Sequence, residues 1–177
     1  MWIIANFLSR VRFIIYLSIS ISKKMIWKTH FAIGFAAALY FSTRVNRPLI
    51  FIPIVLLASL LPDIDSGFSK LGKKPIFRPV QMASSHRGIF HSYTFCIAAS
   101  IIIAFFYPVL ALPFFLGYSF HLFADSFTPQ GIRPFWPLKS TSSGLVAAGG
   151  RIDKTIFYIF VIIDAIFLGS FAYSFLS

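Results

Sequence analysis

Long apolar stretches, broken by short polar or basic links, dominate this chain. Residues 88–107, 109–127 and 155–176 each match the roughly 18–20 apolar residues that cross a bilayer as a helix. Two shorter runs, 31–41 and 49–61, come earlier, separated by Ser42-Thr43-Arg44-Val45-Asn46-Arg47-Pro48. Each short run reaches only about 17–20 Å, against a hydrocarbon core of about 30 Å. Flanking residues, local thinning or a re-entrant hairpin must make up the difference. The pattern predicts an all-α integral membrane protein with about five membrane helices, the first two short.

Residues 1–24 read as an N-terminal extension to a single membrane domain at 25–177. Arg10 and Arg12 interrupt its apolar character, it ends at Ser22-Lys23-Lys24, and no small-residue cleavage site marks a removable signal peptide. Three readings stay open: an interfacial helix, an extra N-terminal helix, or a chain whose translation starts at Met25.

Composition strengthens the membrane reading. Of 177 residues, 58% are hydrophobic and 12% charged, with 23 Phe; the mean hydropathy is +0.82. Soluble domains carry about 45–50% apolar and about 25% charged residues, so a water-soluble globule is excluded, and so is disorder. A single cysteine, Cys96, excludes an intramolecular disulfide framework and a cysteine-based zinc module. Sixteen Lys and Arg face five Asp and no Glu, for a net charge of +11. These cations sit in small groups between apolar runs rather than along one face or arm, which argues against a nucleic-acid partner. If five helices alternate in direction, twelve cations share one side and two, Arg44 and Arg47, take the other. The richer side, with the 62–87 and 128–154 loops, is expected to be cytoplasmic.

Acids and imidazoles gather in four places. His30 opens the first helix, Asp63 and Asp65 follow the second, His86 and His91 flank the start of the third, and His121 and Asp125 lie near the end of the fourth. With alternating helices, all seven meet at one membrane face. His121 and Asp125 are one helical turn apart and share a side of their helix. Asp63 and Asp65, in an extended turn after Pro62, are expected to project together. His86 and His91 would be splayed by about 140° on a regular helix, a mismatch that an irregular entry at Gly88 relieves. Neutral imidazoles and carboxylates without thiolates suit Zn²⁺, Mn²⁺ or Fe²⁺. Seven groups suffice for one metal with supporting partners, or for two metals about 3.5–4 Å apart. Taken singly, each group has a plainer role as an interfacial histidine, a solvated turn or a helix-stabilising pair; their convergence favours a metal or catalytic centre.

Together, Thr29-His30 with Gly34, Leu61-Pro62-Asp63-Ile64-Asp65, His86-Arg87-Gly88 with His91-Ser92, and His121 with Asp125 and Thr128-Pro129-Gln130-Gly131 resemble the YdjM-like family. Its members are predicted inner-membrane, metal-dependent hydrolases, some described as LexA-regulated. The resemblance covers about residues 25–154 and implies a divalent metal held by residues from His30, Asp63, Asp65, His86, His91, His121 and Asp125. Asp153 stands near where relatives tend to carry Glu.

The leading expectation is a metal-dependent hydrolase at the cytoplasmic face of the inner membrane, with Zn or Mn as cofactor. Asp65 or Asp125 would serve as general base. Arg87 would stabilise an anionic oxygen with its planar guanidinium. Membrane lipid is the expected partner, and an amphiphilic molecule such as a lipid or lipid-linked phosphoester the expected substrate. The alternative is a transporter or ion-binding membrane protein, for which Asp164, deep in the last helix, is the main support. A serine hydrolase is excluded by the lack of a Gly-x-Ser-x-Gly elbow.

Overall fold

The computed structural model describes residues 27–65, 75, 78 and 88–176. Residues 1–24, the N-terminal extension, lie outside the described residues. Five α-helices follow in order: α1 (Trp27–Ser42), α2 (Pro48–Ala58), α3 (Tyr93–Phe106), α4 (Pro108–Ser126) and α5 (Arg151–Leu176). Two 3₁₀ turns, Leu61–Asp65 and Ile89–His91, follow α2 and precede α3. Among the described residues no strand forms; extended backbone pairs only at an isolated antiparallel bridge between Ile132 and Ser142.

The starts of these helices follow from local chemistry. Pro48 and Pro108 open α2 and α4, where a missing N–H leaves no helical bond unmade. Ser92 caps α3: its hydroxyl accepts from the Phe95 amide at 3.2 Å and donates to the Ile89 carbonyl at 2.6 Å. That cap has a cost in length. The 88–107 run does not form one helix as its hydrophobicity suggests, because residues before Tyr93 are spent on the 3₁₀ turn and the cap. What remains, Tyr93–Phe106, reaches about 21 Å. By length and composition two helices, α4 and α5, are long and apolar enough to cross a membrane, with Pro48–Ile64 and Tyr93–Phe106 shorter.

Helix α4 is the hub of the bundle, packed against α1, α2 and α3, while α1 also packs against α2 and α5. Small residues bring backbones together. A Cβ on Gly117 of α4 would run into the Val55 carbonyl oxygen and lie 2.9 Å from Ala58 Cβ. A Cβ on Gly34 of α1 would lie 2.7 Å from Ser59 Oγ. Close approach through small residues is how apolar helices associate without a hydrophobic drive between them. Outward faces are apolar instead: Ile97, Ile101 and Phe105 of α3 and Ile159, Ile162 and Ile166 of α5 are exposed. Such a surface suits acyl chains and not water.

At one end of the bundle the segment after α4 folds back. The Thr128 amide and hydroxyl both donate to the Asp125 carbonyl, at 3.0 and 2.7 Å. Thr128 in turn accepts at its carbonyl from the Gly131 and Gly144 amides, and the Val146 amide reaches the Phe127 carbonyl. Val146 then packs with Phe120, Ile156 and Phe160 around Ile33 and Ala124. This loop is thereby fastened across the end where α1 begins and α4 stops.

Candidate metal centre

That end is where three histidines meet. His30 comes from the first turn of α1, and His121 and Asp125 from the last turns of α4. His91 comes from the 3₁₀ turn ahead of α3, and Asp63 from the one after α2. All five side chains are buried.

Asp125 is the centre of the group. Its Oδ1 lies 3.4 Å from His30 Nε2. Its Oδ2 lies 3.5 Å from His91 Nε2 and 3.7 Å from His121 Nε2. The His30 and His121 rings stack at 4.1 Å between centroids, and His91 meets His121 edge-on at 5.7 Å. Nitrogen and oxygen atoms at 3.4–3.7 Å are too far apart for good hydrogen bonds, which cluster at about 2.7–3.2 Å. Donors about 2.0–2.2 Å from a shared tetrahedral centre would lie about 3.4 Å apart, so the spacing fits ligands of a common ion.

Two overlapping sets of ligand atoms fall within 4.8 Å of one another: His30, His121 and Asp125, and Asp63, His91 and His121. His121 belongs to both. Its other ring nitrogen, Nδ1, donates to the Ser59 carbonyl oxygen at 2.7 Å. In the neutral ring this leaves the lone pair on Nε2, pointing into the cluster, which is how metal-ligating histidines are commonly oriented. His30 Nδ1 and His121 Nε2 are buried with no hydrogen-bond partner among the described residues.

Five of the seven residues singled out in the sequence as metal ligands are therefore brought together. His86 lies outside the described residues, as does Arg87, and so does the side chain of Asp65. One local expectation is corrected. Leu61–Asp65 is a 3₁₀ turn, not an extended segment. At three residues per turn, positions 63 and 65 point about 120° apart, so local geometry does not aim both carboxylates the same way.

Comparison with known proteins gives the family of the chain. A family model described as YdjM inner membrane protein matches residues 25–175. The chain belongs to the YdjM family. It is 38% identical over 97 residues to "Inner membrane protein YdjM" of Escherichia coli (strain K12), a match covering 50% of this chain and 50% of that protein. The same values hold for the Shigella flexneri protein of that name. The match thus spans about half the length of these curated relatives. No solved structure matches. As a YdjM-family inner membrane protein with strongly apolar helices, the chain associates with membrane lipid.

Sequence reasoning missed three supports of this cluster. Asp153, fully buried, accepts from the Thr29 hydroxyl at 2.6 Å and from the Gly149 amide at 2.8 Å. It thereby caps α5 and ties it to α1 one residue before His30. An acid three residues into a helix that follows Gly149-Gly150 is a readable cap signal. Gly117, one turn before His121, marks the close α2–α4 crossing. Ser59 contributes through its carbonyl, one of the oxygens left without a helical partner at a helix C-terminus, and no side-chain signal announces it.

Proposed function

We propose that this chain is a multi-pass inner-membrane hydrolase that uses a divalent metal, Zn²⁺ or Mn²⁺. One observation supports this above the rest: three buried imidazoles placed around the Asp125 carboxylate at 3.4–3.7 Å. His30, His91, His121, Asp125 and Asp63 would hold the metal, with His86 and Asp65 as further candidates from the sequence. A metal held there would supply an activated water near neutral pH and polarise a substrate oxygen.

The chain's own groups have distinct tasks in this reading. Asp125 presents one oxygen to His30 and the other to His91 and His121, so its carboxylate and the three rings could share one ion. Ser59 holds His121 in the tautomer that offers Nε2. Asp65, or Asp125 if it is not a ligand, would take the proton from the attacking water, and Arg87 would stabilise the anionic oxygen. The substrate would be amphiphilic, a lipid or lipid-linked phosphoester, because the cluster sits at the end of an apolar bundle. Twelve cations against two support a cytoplasmic side for this end.

Metal analysis of the full-length protein, purified in detergent without chelators, tests the proposal. At least one transition metal per chain is expected, together with metal-dependent release of phosphate or alcohol from a phospholipid. Metal-free wild-type protein would sink the proposal. Metal retention without turnover on any lipid phosphoester would favour the ion-binding alternative. That alternative draws on Asp164, whose Oδ1 is buried without a hydrogen-bond partner among the described residues. Asp164 lies about 16 Å along α5 from Asp153. The side chains of Ile156 and Phe160 in between are apolar and pack on Ile33 and Ala124.

A further inference from the structure

At the opposite end of the bundle lies an open cavity of about 510 Å³, formed where the α1–α2 link meets the start of α4. Along α4 it is about 26 Å from Asp125. Arg44, Asn46 and Arg47 form its polar wall, and Phe51, Val109 and Leu112 contribute apolar lining. Among the described residues no Asp or Glu lines it. Its two arginines are the only cations that the charge pattern assigns to this side.

The Arg44 guanidinium is held in place. Its Nη1 donates to the Tyr40 carbonyl at 2.7 Å, and its carbon lies 4.2 Å above the Tyr40 ring. Most of its five donors remain for another acceptor. The side chain of Arg47 makes no hydrogen bond among the described residues. Helices α2 and α4 both begin at this cavity and neither has a side-chain N-cap, so their ends add partial positive charge to that of the guanidiniums. The apolar lining faces outward, with Val109 and Leu112 about half exposed, and Leu49, two residues beyond Arg47 on α2, is 75% exposed.

From these features we infer that the cavity binds the phosphate headgroup of an anionic phospholipid, with its acyl chains lying over Leu49, Val109 and Leu112. Paired guanidiniums match the planar, bidentate geometry that a phosphodiester accepts. The apolar rim selects the lipid over a free anion, which would gain nothing from Leu49 or Leu112. This site is separate from the histidine cluster and does not depend on the proposed hydrolase activity.

The test is thermal melting of the full-length protein in detergent, titrated with phosphatidylglycerol, phosphatidylcholine or inorganic phosphate. Phosphatidylglycerol should raise Tm saturably, at a concentration at least about tenfold below that needed for phosphatidylcholine, with no response to phosphate. Arg47→Gln should shift the phosphatidylglycerol midpoint about tenfold upward, as expected for loss of one charged hydrogen bond. The double variant Arg44→Gln/Arg47→Gln should abolish the response, while Arg133→Gln, beyond the far end of α4, should keep it. Should the double variant fail to fold, Arg47→Gln decides alone. An undiminished response in Arg47→Gln, or an equal response to phosphatidylcholine, overturns the site. A response to inorganic phosphate equal to that for the lipid overturns the lipid assignment. Metal content should be unchanged in Arg47→Gln.

Discussion

His121 Nδ1 donates to the Ser59 carbonyl oxygen at 2.7 Å, joining the end of α2 to the hub helix α4. A carbonyl can only accept, so the bond fixes which nitrogen carries the proton. It also satisfies an oxygen that the end of α2 leaves without a helical donor. One bond thus serves both the packing of two helices and the orientation of the His121 ring.

Asp125→Ala should remove the group that all three imidazoles face. Metal affinity should fall by at least the about 10–100-fold that loss of a supporting partner alone costs. His121→Ala should do the same. Metal content measured beside far-UV circular dichroism checks this, with retained helicity required for the result to count against folding loss. Full metal occupancy in both variants would remove Asp125 and His121 from the site.

Asp164→Asn, about 16 Å along α5 from the first turn, should keep its metal. Metal loss equal to that of Asp125→Ala would point to a site deeper in the membrane and favour ion binding over hydrolysis.

Gly117→Ala should destabilise the protein by about 1–3 kcal/mol, the usual cost of overpacking, because the new methyl meets the Val55 carbonyl backbone. Gly34→Ala should cost less, since it meets only the Ser59 side chain. Because α2 must shift to admit the methyl, Gly117→Ala should also weaken metal binding through Ser59 and His121. Thermal melts and metal titrations check the order; equal effects would show that backbone contact at Gly117 is not limiting.

Asp153→Ala should leave the Thr29 hydroxyl and the Gly149 amide without this acceptor, at a cost of about 1–3 kcal/mol. Asp153→Asn, which retains one acceptor oxygen, should recover part of it. A melt in which the Asn variant is as unstable as the Ala variant would assign the loss to charge rather than to these bonds.

Membrane-impermeant maleimide on intact cells should label Thr43→Cys and spare Ser140→Cys, since both positions are exposed and the cation count favours an inside position for residue 140. Native Cys96 is buried and should contribute little background. Labelling of Ser140→Cys alone would place the histidine end outside.

The sequence by itself determined the class of this protein and most members of the histidine–carboxylate cluster. Lipid is the only solvent that matches 58% hydrophobic residues with so few charges, and alternation of helices is enough to bring His30, Asp63, His91, His121 and Asp125 to one end. The spacing of His121 and Asp125 fixes their shared face because it is one helical turn. What only the tertiary structure decided lies in contacts between elements. Hydrophobicity cannot tell that Gly88–Ser92 leave the helix, because the cap at Ser92 and the turn at Ile89–His91 are backbone choices made among apolar residues. Nor can it show Ser59, whose role belongs to a carbonyl that every residue has. Asp153 and Thr29 are 124 positions apart, and nothing in local pattern joins them until α5 packs on α1. Local periodicity sets where side chains point on one helix; which helices then touch depends on where small residues such as Gly34 and Gly117 let backbones approach.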